Sequence, residues 1–202
     1  MLIDASVARS VAVLGWVHQL ARAFGGSLSI AHGVLGINNH EPSELRGIRD
    51  ALQRELGASP AGSGRYSKAV AAVHGLDVLL NLGPPTIRLL IPDSDEVRMA
   101  ARLTSREAGD REWRSGLGLR ARRLDAGEAV SIAIAHARGI DFASDDGQAL
   151  LAYTALTTRP PVRTRDVIKL LINAGTIDEA TGRDGYQFLQ EDDLHLLGGP
   201  DW

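Results

Sequence analysis

Apolar positions along the chain change period repeatedly, and the changes predict an alternating series of strands and helices. "MLIDAS" is a short apolar strand that ends on Asp4, with Ser6 placed to start a helix over Val7 to Phe24 that Gly25-Gly26 stops. "SLSIAHGV" alternates and predicts a second strand, and "HEPSELRGIRDALQREL" predicts a helix with Pro42 near its first turn. The Gly- and Ser-rich stretch Gly57 to Ser67 predicts a loop, followed by a helix over Lys68 to Leu82 and a third strand at "TIRLLIP". "DSDEVRMAARLTSREA" predicts a helix capped by Asp93, and "GDREWRSGLGLRARRL" a linker or broken helix. Asp125 is placed to cap an Ala-rich helix over Gly127 to Arg138 that Gly139 ends. "IDFAS" is the fourth strand, and a helix over Gln148 to Ala155 follows it. "TTRPPVRT" reads as a loop or edge strand, "RDVIKLLINAG" as a helix, and the remainder as one more short helix and a tail.

Strands that alternate with helices predict an α/β fold in three layers, α/β/α, around a mostly parallel central sheet. Such sheets place their sites outside the carboxyl ends of the strands. Asp4 ends the first strand, and Asp145 and Asp146 end the fourth. Glu128 opens the helix that feeds the fourth strand, so a parallel crossover brings it to the same rim. Residues 1–155 form the expected main domain, with 57–124 partly an enlarged helical insertion. Residues 156–202 form the expected C-terminal helical extension.

Composition narrows the chemistry. The 202 residues include no cysteine, which excludes disulfides, thiolate zinc sites and a cysteine nucleophile and fits a cytoplasmic location. No apolar run reaches membrane-spanning length, and the first residues lack the basic segment and cleavage site of a signal peptide. No glycine-rich nucleotide-binding pattern and no G-x-S-x-G elbow occurs. Net charge is −3, which argues against a general nucleic-acid coat, but its distribution is uneven. Eight arginines lie between Arg98 and Arg123 against three acids, whereas Thr176 to Trp202 carries seven acids and one arginine. Arg98, Arg102 and Arg106 share one face of the predicted helix.

Carboxylates gathered at one rim suit a hard divalent cation, and Mg2+ and Mn2+ prefer oxygen ligands. Such ions activate water and neutralise charge at a phosphoryl group, while arginines beside them hold a phosphate backbone. Together these features describe a metal-dependent nuclease.

"MLIDAS", "LDAGEAVSIAIAHARG" and "IDFASDD" occur in this order, and with them the chain resembles the PIN-domain family, closest to the bacterial toxin-like branch with G-E-A and D-D motifs. The resemblance runs from Met1 to about Tyr153. It implies an endoribonuclease that uses Mg2+ or Mn2+, acts as the toxin of a toxin–antitoxin pair and forms a homodimer. It assigns metal-binding and catalytic acids to Asp4, Glu128 and Asp146, with Asp145 as a neighbour that ligates or positions water. The second family acid falls on Glu44, with Glu41 as its rival, because the stretch from Gly33 to Glu44 departs from the family pattern. Ser6 and Ser144 are candidates for orienting the acids. Arg98, Arg102, Arg106, Arg120, Arg122 and Arg123 are candidates for RNA contact. Two other readings stay open: a binding module that keeps the fold with a degenerate site, and a DNA-directed nuclease.

Each residue also has a plainer role. Asp4 and Asp146 can be caps, Glu128 can favour a helix N-terminus through the macrodipole, and the arginines can be a solvated, ion-paired face.

Overall fold

The structure of the chain, a computed structural model, describes residues 1–36, 42–58, 60–119 and 124–191. In chain order these form β1 (Leu2–Ile3), α1 (Ala5–Val13), α2 (Val17–Ala23), β2 (Leu28–Ala31), α3 (His32–Leu35), α4 (Glu44–Ala58) and α5 (Gly64–Asn81). There follow β3 (Ile87–Leu90), α6 (Ser94–Thr104), α7 (Ala108–Gly116), α8 (Ala126–Arg138) and β4 (Phe142–Ala143). The last three are α9 (Gly147–Leu156), α10 (Thr164–Asn173) and α11 (Glu179–Gln190).

All strand pairs are parallel, in the order β3-β2-β1-β4. The sheet is the middle layer of an α/β/α fold. Strands covered on both faces need apolar side chains on both, and the strand residues Leu2, Ile3, Leu28, Ile30, Phe142 and Ala143 are all buried. Helix packing concentrates in two groups, α1 with α4 and α5, and α8 with α6 and α9. One continuous core runs from Leu2 to Leu189 and takes in Val167, Ile168 and Leu171 of α10 and Tyr186 of α11.

The strand order carries the functional geometry. From β1 the chain steps to β2 and β3 on one side, then returns to place β4 on the other. The order therefore reverses between β1 and β4, and the crevice at their carboxyl ends is where ligands bind in open α/β sheets. Asp4 and Ser144 to Asp146 stand at that crevice.

Several local expectations are corrected. The single helix expected over Val7 to Phe24 is two, because Gly15 adopts φ +69° and turns the chain between α1 and α2. Asp4, not Ser6, occupies the N-cap position of α1. The second strand stops at Ala31, where His32–Leu35 coils into α3. Of the two alternatives for the stretch from Gly109, a linker or a broken helix, the structure has a short helix, α7. The stretch 57–124 contains both sheet and helices. It supplies edge strand β3 and core helices α5 and α6, with Leu76, Leu79, Ile87 and Leu103 buried. The loop or edge strand at "TTRPPVRT" makes a parallel bridge from Val162 to Ala143, on the outer side of β4. Among the described residues, no helix is long and apolar enough to cross a membrane.

Candidate metal centre

Five acids from four places in the sequence act on one another electrostatically at this rim: Asp4, Glu44, Asp125, Glu128 and Asp146. Each is placed by ordinary local structure.

Asp4 follows the last residue of β1, and its amide donates to Ala143 O at 2.9 Å, which ties it to β4. It is only 2% exposed. Its Oδ2 accepts from the Ser144 hydroxyl at 2.9 Å, and its Oδ1 is buried without a hydrogen-bond partner. Burial pushes this carboxyl up to about 6; the backbone N–H of Ala5 and the Ser144 hydroxyl oppose the rise, and the charges of Asp125 and Asp146 add to it.

Glu44 opens α4. Its Oε2 is also buried without a partner. This carboxylate lies against Gly127 of α8, where a Cβ would overlap Oε2 and come within 3.5 Å of Asp125 Oδ1. The glycine of the G-E-A motif therefore leaves the space that Glu44 fills. Burial, then the charges of Asp4, Asp125 and Glu128, push Glu44 up to about 8.

Asp125 and Glu128 form a capping box at the start of α8. Asp125 Oδ1 accepts from Glu128 N at 2.8 Å, and Glu128 Oε2 accepts from Asp125 N at 3.0 Å. Burial pushes Glu128 up to about 7; the Asp125 backbone N–H opposes this, and the charges of Asp125, Asp146 and Asp4 add to it. Asp146 caps α9, its Oδ1 accepting from Gln148 N at 2.7 Å and Ala149 N at 3.0 Å.

Ser6 and Ser144 tie the rim together. Asp145 N donates to Ser6 Oγ at 3.0 Å, Asp146 N donates to Ser144 Oγ at 3.1 Å, and the two hydroxyls lie 3.4 Å apart.

Asp145 itself faces away from the cluster. Its Oδ1 accepts from Thr164 N at 2.9 Å and its Oδ2 from Thr164 Oγ1 at 2.6 Å. Of the pair, Asp146 joins the other acids, whereas both oxygens of Asp145 engage Thr164. Asp125 was expected only as a cap; the D-x-x-E spacing that signals a capping box also signals two acids at one helix start.

The arginines are placed differently from expectation. The helix ends at Thr104, so Arg106 lies beyond α6 and does not share a helical face with Arg98 and Arg102. Arg98 pairs with Asp95 at 2.7 Å in an exposed contact, and Arg102 pairs with Asp110 at 3.2 Å while lying 4.1 Å over the Trp113 ring. Glu41, Arg120, Arg122 and Arg123 lie outside the described residues.

All five acids fit the chemistry of a hard cation, since among the described residues no hydrogen bond uses Asp4 Oδ1, Glu44 Oε2, Asp125 Oδ2, Glu128 Oε1 or Asp146 Oδ2. They are not pre-assembled around a point. Among the described residues, no group of three or more acidic or histidine side chains is arranged to hold a metal ion as it stands. No protein-family model matches the chain, and no curated protein or solved structure matches it either.

Proposed function

We propose that the acid cluster binds Mg2+ or Mn2+ and that the chain is a metal-dependent endoribonuclease of the PIN type. One observation carries the reading: two buried carboxylate oxygens, Asp4 Oδ1 and Glu44 Oε2, have no hydrogen-bond partner among the described residues and lie near other acids. Buried acceptors are nearly always satisfied, and exceptions call for an ion or a function. A structural role for these acids would have supplied a donor or an arginine.

Asp4, Glu44, Glu128 and Asp146 are the residues that would hold the ion. A divalent cation in such a site lowers the pKa of bound water and offsets charge at a phosphodiester. The contribution of this chain is to fix the acids. Ser144 engages one oxygen of Asp4 and leaves the other for the ion, and Gly127 leaves room for Glu44. Glu44 and Glu128 hold protons near neutrality and release them as the cation binds. The toxin role, the antitoxin partner and the homodimer rest on the sequence resemblance alone.

A second reading is a degenerate module that binds protein or RNA without cleaving it. It is favoured by the absence, among the described residues, of a ready-made ligand group, and by the capping bonds that hold Glu128 and Asp146. The deciding experiment is cleavage of labelled single-stranded RNA with Mn2+, Mg2+ or EDTA, beside Asp146→Asn and with single-stranded DNA as competitor. Cleavage that needs both metal and Asp146 supports the nuclease. No cleavage by a chain shown to be folded supports the module, and preference for DNA redirects the substrate.

A further inference from the structure

Asp145 lies at the rim outside the proposed cation site, and its bonds lead elsewhere. It is 8% exposed, and both of its oxygens engage Thr164, itself fully buried. Thr164 is the first residue of α10, and Arg163 at the N-cap position makes no side-chain cap bond. Asp145 therefore caps α10 from a different element and places a carboxylate at that helix's positive end.

The peptide around Asp145 is held on both sides. Ser144 N donates to Val162 O at 3.0 Å, and Val162 N donates to Phe142 O at 3.1 Å, so the chain before α10 lies along the outer edge of β4. The Ser144 hydroxyl reaches Asp4, and the Asp146 amide reaches the Ser144 hydroxyl. A continuous path of short bonds thus runs from Thr164 through Asp145 to Ser144, Asp4 and Asp146.

We propose that Asp145 is a positioning residue, through which the C-terminal helices α10 and α11 hold the rim segment from Ser144 to Asp146 in register with Asp4. The inference deepens the cation-site reading and rests on it for its functional meaning. A helix cap with no further role would stabilise α10 and leave the rim indifferent to its loss.

The test compares Thr164→Val, Thr164→Ser and Asp166→Ala in the full chain. Asp166 Oδ2 accepts from Arg163 N at 2.9 Å, so its removal also weakens the start of α10 but touches no rim residue. Two quantities are read: the affinity for Mn2+ alone, by electron paramagnetic resonance, and the amide chemical shifts of Asp4, Ser144 and Asp146 in metal-free protein. Thr164→Val is expected to weaken Mn2+ binding by about 10-fold, the lower end of the range for direct partners of metal ligands, since Thr164 acts through Asp145 rather than on a ligand itself. It is also expected to move the three amides. Thr164→Ser, which keeps the hydroxyl, restores both, and Asp166→Ala changes neither. Unmoved amides and unchanged affinity in Thr164→Val would overturn the inference and leave Asp145 a helix cap. If the wild-type chain binds no Mn2+, the cation reading fails, and the amide shifts alone decide whether Asp145 positions the rim.

Discussion

Helices α6 and α8 begin alike. Asp93 and Glu96 close a capping box at one, and Asp125 and Glu128 close the same box at the other. Beyond that point the two glutamates differ. Glu96 is buried, and its carboxylate receives Arg138 through two bonds, Nε to Oε1 at 2.6 Å and Nη2 to Oε2 at 2.7 Å. Arg138 holds Glu96 below the usual carboxylate range. Among the described residues Glu128 is paired with no cation; it is pushed up to about 7 by burial and by the charges of Asp125, Asp146 and Asp4. Both glutamates serve one helix, since Arg138 is its last residue and Glu128 stands in its first turn. One end of α8 is a finished ion pair, and the other gathers carboxyls for which the described residues supply no cation. Stability accounts for the first arrangement; the second costs stability, a cost that a cation bound as proposed would offset.

The comparison can be broken most forcefully at the finished end. Arg138→Ala leaves Glu96 charged and buried, and is expected to cost about 3–5 kcal/mol, read by urea denaturation. A loss below about 1 kcal/mol would place the pair in the class of weak surface bridges.

At the open end, Gly127→Ala drives a methyl group into the seat of Glu44. It should weaken Mn2+ binding at least about tenfold, as loss of a ligand's support does, while overpacking costs about 1–3 kcal/mol. Unchanged Mn2+ affinity, measured by calorimetry, would remove Glu44 from the site.

The two ends also respond oppositely to pH. Asp4, Glu128 and Glu44 keep protons in the folded chain up to about 6, 7 and 8, whereas the unfolded chain releases them near the ordinary values of 3.8 and 4.5. Across that window the folded state binds more protons, so the cluster's contribution to stability falls as pH rises and returns on acidification. Glu96 runs the other way, contributing above its ordinary value of 4.5 and losing that contribution as pH falls through its lowered one. Saturating Mn2+ should therefore raise Tm more at pH 8 than at pH 6, by roughly 2–4 °C for each kcal/mol gained. An equal shift at both values would argue that the ion does not displace protons from these acids.

The smallest effect is expected from Glu44→Gln. Replacing a carboxyl that the folded chain must keep protonated up to about 8 by a neutral amide should stabilise the metal-free chain by about 0.5–2 kcal/mol. Destabilisation instead would mean that Glu44 has a structural partner.

Much of this was legible in the sequence, for identifiable reasons. Parallel strands buried on both faces read as short apolar runs, and Asp4 and Asp146 announced the strand ends by breaking them. Caps at Asp93 and Asp125 followed from their spacing to the glutamates. Gly15 was hidden because the apolar pattern continues across it on both sides. The direction of Asp145 depends on a partner 19 residues away, which no local pattern specifies. The seat of Glu44 depends on a glycine in another helix. The arginine face failed because α6 ends at Thr104, two residues before Arg106.

The most direct test of the central claim is calorimetric titration of the metal-free chain with Mn2+ at pH 7.5 in two buffers of different ionisation enthalpy, beside Asp4→Asn. Saturable binding with proton release is expected, and both should be lost in the variant. No binding at millimolar Mn2+, or binding that Asp4→Asn leaves intact, would contradict the proposed cation site.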